Sequence, residues 1–380
     1  MPPALTRPLG QSLLLTVPMF LWSALLAMRL MPIPGHAIKV AAVLTLIFVV
    51  TLFFLTVHTG RTHRYRRIFF VTLGFLFPIG FIWQHIEDRG SMAISLEHML
   101  HGDTPCCVLA TPMMIVPAVL FRTIIFPGAV LPTATNNRSV AMVMAVWLIA
   151  SVVMGKGWCS FGCFFGGIEE GFSAVARRPI IKRWSPHLIW GPWAVLVAVV
   201  LLSAATFEPT YCRWLCPFKT VTEFPEVRSV ETALQAVIFV TLFLGLVVVL
   251  PLLTKRRTQC AWFCPFGAMQ ALANKINVFE VRFEKAHCKP CTCCQRACPN
   301  LALDRASIDA GHTLLGCTKC GACVDACPRA AARWHIKGTP LSTSPEVARL
   351  FYSYAAWGFA SLFGGAIIAT TLSKLLHFLG

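Results

Sequence analysis

The chain has 380 residues, of which 56% are hydrophobic and only 13% charged, against about 25% charged in ordinary soluble domains. That balance excludes a water-soluble globule and a disordered chain, and leaves a polytopic membrane protein. The formal net charge of +17, from 33 Lys+Arg against 16 Asp+Glu, then reads as basic cytoplasmic loops rather than a nucleic-acid surface, and the 17 cysteines point to metal ligation.

A helix that crosses the hydrocarbon needs roughly 20 apolar residues. Seven spans are predicted, near 12–33, 38–58, 67–84, 138–155, 188–207, 231–253 and 350–376. The first reads as a span rather than a cleaved signal peptide, since no small-residue cleavage site follows it. The apolar stretch 105–131 is different. It carries Pro105, Pro112, Pro117 and Pro127, with Arg122 between them, and proline breaks the ladder that lipid demands.

Charge decides how that stretch counts. The loop 59–67 holds Arg61, Arg64, Arg66 and Arg67; the loop 156–187 holds Lys156, Arg177, Arg178, Lys182 and Arg183; and 255–349 holds 14 Lys+Arg against 6 Asp+Glu. The positive-inside rule puts all three in the cytoplasm, which requires 105–131 to dip in and return. A kinked full span is the alternative. The expected fold class is mainly α: a polytopic helical membrane protein of about seven spans plus a re-entrant segment, with a small cytoplasmic α+β domain. The expected domains are a transmembrane unit 1–254, a cytoplasmic unit 255–349 and a C-terminal helix 350–380. No repeat of fixed period longer than the cysteine motifs is apparent.

Within the insert, Cys288, Cys291, Cys294 and Cys298-Pro299 follow the pattern Cys-x2-Cys-x2-Cys-x3-Cys-Pro, and Cys317, Cys320, Cys323 and Cys327-Pro328 repeat it. In such runs three close thiolates wrap one 4Fe–4S cube and the fourth ligates the other. Cluster one is therefore assigned Cys288, Cys291, Cys294 and Cys327, and cluster two Cys317, Cys320, Cys323 and Cys298. Zinc knuckles or a disulfide module are the competing readings. Two complete runs each ending in proline, in a reducing compartment, argue against both. Cys293 fits no ligand slot.

The remaining eight cysteines come in pairs: Cys106/Cys107, Cys159/Cys163, Cys212/Cys216 and Cys260/Cys264. Cysteines at i and i+4 share a helix face, so two such pairs can present four thiolates. The predicted topology places Cys159, Cys163, Cys260 and Cys264 at the inner membrane edge, and Cys106, Cys107, Cys212 and Cys216 at the outer one. Each group is a candidate for a further iron–sulfur cluster. Redox dithiols or buried structural cysteines are the alternatives.

The stretch from Gly157-Trp158-Cys159 through Cys163 to Gly166, with Cys260 to Cys264-Pro265-Phe266-Gly267 and the double ferredoxin after it, resembles the polyferredoxin-type membrane proteins. These include the quinol-dehydrogenase subunit of periplasmic nitrate reduction (NapH) and the nitrous-oxide-reduction protein NosR. The resemblance covers roughly 138–335. It implies transmembrane electron transfer linked to the quinone pool or to a periplasmic reductase. Two departures stand out: Phe164 replaces the usual proline, and Cys212–Pro217 adds a third motif.

The expected function is membrane-bound iron–sulfur electron transfer between a cytoplasmic or quinol donor and a redox partner across the bacterial inner membrane, as a subunit of a larger complex. Quinone is a further expected ligand, and nucleic acid is not expected. The alternative is a redox assembly or regulatory factor for maturation of a metalloenzyme. Glu97, His98, His101 and Asp103 read as a hydrated loop, and Glu169-Glu170 as a solvated helix start. Trp83, Trp158 and Trp184 read as interface anchors, and Arg177-Arg178 and Lys255-Arg256-Arg257 as membrane-surface charge.

Overall fold

The computed structural model describes residues 7–87 and 140–379, except 177, 183, 207–209, 223–226, 228, 290 and 341–343. The re-entrant stretch 105–131, the cluster Glu97–Asp103 and the pair Cys106/Cys107 lie outside the described residues.

Helix α1 (Leu9–Met28) buries its small and polar side, Ser12, Thr16, Ser23 and Ala27, and turns its leucines outward, with Leu14 72% exposed. A soluble helix does the opposite. Small residues inside and large apolar ones outside are what lipid selects, because tails solvate leucine while close packing needs small side chains. Helix α2 (His36–Thr59) packs against α1 and stops at Gly60, whose φ of +72° gives the left-handed cap. Helix α3 (Thr62–Glu87) begins two residues later.

After the gap, α4 (Val140–Met154) runs through a short turn and the single-turn helix Trp158–Phe161 into α5 (Phe164–Val175). The two halves of this path bend by 45°. Helix α6 (Gly191–Thr206) is short and apolar. Helix α7 (Val230–Leu242) starts at a Ser229/Thr232 capping box and continues through a π-helical stretch to Thr254. Helix α8 (Pro265–Ile276) then leads into the insert.

The fold is mostly helical, and several of its helices are long and apolar enough to cross a membrane: Leu9–Met28, His36–Thr59, Val230–Thr254 and Pro345–Phe378, with the bent pair Ala145–Phe161 and Phe164–Val175 as one more. The predicted spans 67–84 and 188–207 fall on α3 and α6. Neither is among these, as α6 reaches only about 24 Å at 1.5 Å per residue.

Between α8 and the last helices, β1 (Phe279–Phe283) pairs antiparallel with β2 (Ala332–Ile336), in the register Phe279↔Ile336 to Phe283↔Ala332. Both cysteine runs lie in the connection between these two strands. Helix α9 (Pro345–Ala360) continues through a π turn into α10 (Ala366–Leu379). The sheet is not loosely tethered. Tyr352 of α9 stacks on Trp334 at 4.4 Å and meets Phe279 and Phe161 edge-on, so one apolar core runs from the sheet into the helices.

One contact inside the helical part decides where the buried charges lie. A Cβ added at Gly74 of α3 would lie 2.4 Å from the Ile168 nitrogen, and one at Gly167 of α5 would lie 2.2 Å from the Phe70 oxygen. The two backbones touch, which only glycine permits, and this brings Arg66 against Glu170.

Candidate functional site

The two cysteine runs of the insert share a local conformation. The residue after the second cysteine has positive φ in both, Thr292 at 55° and Gly321 at 79°; so does the third residue after the fourth cysteine, Leu301 at 54° and Ala330 at 53°. The amide four residues on donates to that fourth thiol in both: Ala302 to Cys298 Sγ at 3.3 Å and Ala331 to Cys327 Sγ at 3.2 Å. Positive φ on non-glycine residues costs energy, and its recurrence at matched positions marks a backbone bent to aim thiols and amides inward.

The thiols fall into two crossed groups. Cys288 lies within electrostatic reach of Cys327 and Cys291, and Cys294 of the same two. Cys298 instead faces Cys320 and Cys317, and Cys323 faces Cys317, Cys320 and Cys298 ahead of Cys294 of the first group. Burial pushes the Cys298 thiol up to about 12. An empty buried thiol stays protonated, and a bound iron would displace that proton. Cys293 stands apart, its sulfur near the Cys291 oxygen and the Arg296 guanidinium. Among the described residues no three His, Cys, Asp or Glu side chains close around a single ion. On one zinc ion, with Zn–S near 2.3 Å, thiolates crowd within about 4 Å of each other; a cube with an iron at each liganded corner spreads them wider.

The Cys-x3-Cys motifs share a second local design. Residues Gln259–Phe263 form one π-helical turn, as do Tyr211–Leu215. The second cysteine of each motif is extended, with φ/ψ of −79°/101° at Cys163, −79°/108° at Cys216 and −70°/112° at Cys264. Cys163 and Cys264 each bond back five residues, to Trp158 O at 3.2 Å and Gln259 O at 2.8 Å, and each caps the helix that follows. Phe164 stands where Pro265 begins α8, and the geometry survives the exchange. Glycines three residues after the second cysteine allow the turn to close: a Cβ at Gly166 would lie 3.0 Å from Cys159 O, and one at Gly267 would lie 3.2 Å from Cys260 O. The third motif has Lys219 at that position.

Cys159, Cys163, Cys260 and Cys264 come together, with Cys163 in reach of Cys159 and Cys264, and Cys260 in reach of Cys163 and Cys264. Around them sits a fully buried ion network. Arg257 donates to Cys159 O at 2.6 Å, Ser160 Oγ at 3.1 Å and Cys260 Sγ at 3.2 Å. Glu169 accepts from the Gln259 and Cys260 amides at 2.5 and 3.3 Å. Glu170 takes both nitrogens of the Arg66 fork and lies 4.0 Å from Arg257. Phe70 lies between the two guanidinium groups, at 5.3 and 5.2 Å.

The structure corrects several expectations. Glu169 and Glu170 are 0% and 2% exposed, not a solvated helix start; the Gly74/Gly167 contact closes α3 over them. Arg257 is buried rather than at a membrane surface, and Arg256 bonds to the Cys298 and Gln295 carbonyls of the first cysteine run. The Cys212/Cys216 turn is not on a face opposite to Cys159 and Cys260. The Gln259 side-chain amide bonds Tyr211 Oη at 3.3 Å, and Cys216 packs in the same apolar cluster as Cys159 and Cys264. Thr210 N donates to Ser203 Oγ, which ties the start of this turn to the last turn of α6. The Cys212 side chain, like Cys106 and Cys107, lies outside what the structure describes.

Besides Arg256 and the Arg257 amide, which donates to Pro299 O at 2.9 Å, further links join the insert to this centre. Asn274 of α8 donates to Leu315 O and Cys317 O, both at 2.7 Å, and accepts from the Lys156 amide at 3.0 Å and from Lys319 Nζ. Burial, with the Lys337 ammonium adding to it, pulls the Lys319 ammonium down to about 8, against a Cys317 thiolate and the Glu280 carboxylate, which would raise it. At the other edge His63 N donates to Asp325 at 2.9 Å, and the His63 ring reaches Arg66 at 3.1 Å. None of Asn274, Lys319, His63, Arg66 or Arg257 stands out in sequence as more than one polar residue among others.

A family model for a 4Fe-4S binding domain matches residues 138–183, 189–229 and 236–285. Each matched stretch contains one Cys-x3-Cys turn. Together they form a repeat that unequal spacing hides from a search for fixed periods. The matches support an iron–sulfur protein of the ferredoxin type. No curated protein and no solved structure matches the chain.

Proposed function

We propose that the chain is a membrane-embedded iron–sulfur electron carrier, passing electrons between a cytoplasmic or quinol donor and a redox partner across the inner membrane, as a subunit of a larger complex. The resemblance to the NapH and NosR proteins belongs to this reading. The observation that carries it is the crossed grouping of the insert's thiols together with their direct link to a third group of four. In this reading Cys288, Cys291, Cys294 and Cys327 hold one 4Fe–4S cluster, and Cys298, Cys317, Cys320 and Cys323 a second. Cys159, Cys163, Cys260 and Cys264 hold a further one at the membrane edge. The Cys212/Cys216 turn extends the line into the helices, with Cys106 and Cys107 as its expected partners.

Such clusters supply one-electron transfer when bound. The protein's own part is placement and charge. Arg257, Lys156 and Lys319 put three buried cations beside the thiol groups, which offsets the negative charge of thiolate ligands. The Gly166 and Gly267 amides, at the starts of α5 and α8, point at the second thiol of each inner motif. Asn274 fixes the spacing between the insert and the inner group.

Iron and acid-labile sulfide per chain, with electron paramagnetic resonance during stepwise reduction, tests this. The insert alone accounts for about eight irons, and an inner cube raises the total to about twelve. Cys159→Ala and Cys260→Ala should remove one and the same signal. A fully loaded protein with about eight irons and readily alkylated Cys260 would leave the inner group as dithiols. A protein that assembles no cluster would end the whole reading.

A further inference from the structure

A cleft of about 800 Å³ opens between the insert and the helix ends. Its cations come from four separate places: Arg67 of α3, Arg178 and Lys182 of the segment after α5, Lys255 and Arg256 after α7, and Arg296 of the first cysteine run. Its carboxylates are Glu170 and Asp325, and both are already engaged. Glu170 is held by the Arg66 fork and lies 3.8 Å from Arg67, and Asp325 accepts from the His63 amide. By contrast Arg178 and Lys182 are exposed and make no hydrogen bond or ion pair among the described residues.

Six cations around one concavity repel one another, and focusing between low-dielectric walls strengthens the positive field inside. The volume falls in the range that suits small-molecule and cofactor ligands, roughly 300–1,000 Å³. Arginine forks and lysine ammonium groups together are the chemistry that selects phosphate over carboxamide or sugar. Trp184 and Ile181 give the same cleft an apolar, partly aromatic wall. We propose that this cleft binds a phosphate-bearing ligand of nucleotide size, its phosphate held at Arg178 and Lys182 and its ring against Trp184. Ala322, Asp325 and Ala326 of the second cysteine run and Ala297 and Pro299 of the first also line the cleft. If the electron-carrier reading holds, a redox-active nucleotide there sits beside both runs. The site itself does not depend on that reading.

Lipid headgroups carry the same phosphate, so the test separates the two sources. The cluster-loaded full-length protein is placed in phosphatidylcholine nanodiscs and titrated with flavin mononucleotide, followed by flavin fluorescence. Riboflavin, which lacks the phosphate, is the control, and inorganic pyrophosphate the competitor. Expected are saturable binding of the mononucleotide but not of riboflavin, displacement by pyrophosphate, and affinity at least about tenfold weaker in Arg178→Glu/Lys182→Glu. Both positions are exposed, and unchanged iron content and cluster signals in the double variant show that fold and carrier function are intact. Arg178→Ala/Lys182→Ala should give a smaller loss in the same direction. If the mononucleotide fails to bind but phosphatidylglycerol is retained through purification by the wild type and lost by the double variant, the site stands with a lipid as its ligand. Absence of both, or binding that the double variant leaves unchanged, overturns the proposal.

Discussion

The cysteines of the insert and those of the Cys-x3-Cys turns solve one problem in two ways. In the insert, each group of four is drawn from two short runs, and left-handed residues at Thr292, Leu301, Gly321 and Ala330 bend the backbone around the thiols. The donors to the sulfurs of Cys298 and Cys327 are local amides, Ala302 and Ala331. The described Cys-x3-Cys turns carry no such residues, and support comes from far away: Arg66 reaches Ser160 O and Glu170 across about a hundred residues of sequence, and Arg257 reaches Cys159 O. Most described thiols of both regions are buried, so the contrast lies in where the support originates: the insert bends its own loops around its thiols, whereas the turns draw on buried ions that are already paired with one another.

The sharpest test of that contrast removes a ligand from the local site. Cys320→Ala should abolish one cluster signal of the insert while the other persists, and should stop electron passage through the protein. Because the fourth ligand of that group is Cys298 from the other run, Cys298→Ala should lose the same signal as Cys320→Ala, and Cys327→Ala the other. Loss of one signal by Cys298→Ala together with Cys288→Ala would break the crossed assignment.

The next effect is smaller and falls on the imported ions. Glu170→Gln leaves Arg66 and Arg257 buried with one compensating carboxylate fewer. Removing one partner of a buried ion pair costs about 3–5 kcal/mol. The expected result is a large fall in thermal stability in detergent and loss of the inner signal, with the insert's signals retained. Glu284→Gln serves as the control, since its pair with Arg333 is 40% and 35% exposed and worth at most about 1 kcal/mol. Equal effects of the two substitutions would mean that the buried network does not support the inner group.

The same contrast explains what could be read from sequence. The insert was legible because its ligand order is contiguous: spacing and the two terminal prolines alone give eight residues and their crossed grouping. The inner quartet was legible in part, since i and i+4 cysteines pair by helix geometry. Its ion network was not. Glu169-Glu170 look like any charged helix start, and Arg257 like the end of a basic run; only the backbone contact at Gly74 and Gly167 buries them, and no local pattern announces that two helices touch there. The side assigned to Cys212/Cys216 failed for a related reason. Charge counting places loops, but it cannot see the packing that seats Cys216 in the apolar cluster of Cys159 and Cys264.

The smallest effect concerns the seam between the two regions, where Asn274 is the joint. Its amide donates to Leu315 O and Cys317 O, and its oxygen takes the Lys156 amide and Lys319 Nζ. Asn274→Ala should cost about 1–3 kcal/mol, the penalty of leaving buried backbone groups unpaired, without removing any cluster ligand. Iron content and both sets of signals should therefore match the wild type. What should change is local. Amides at 314–319 lose hydrogen-exchange protection, and electron exchange between the insert and the inner group slows because their separation is no longer fixed. Asn274→Asp separates the two halves of the side chain's role: it keeps the acceptor for Lys156 and Lys319 but cannot donate to Leu315 and Cys317, so it should lose protection at 314–319 as the alanine variant does while Lys319 stays in place. If both variants retain wild-type protection and wild-type transfer between the two groups, the other contacts of the seam hold it without Asn274, and Asn274 has no part in the electron route.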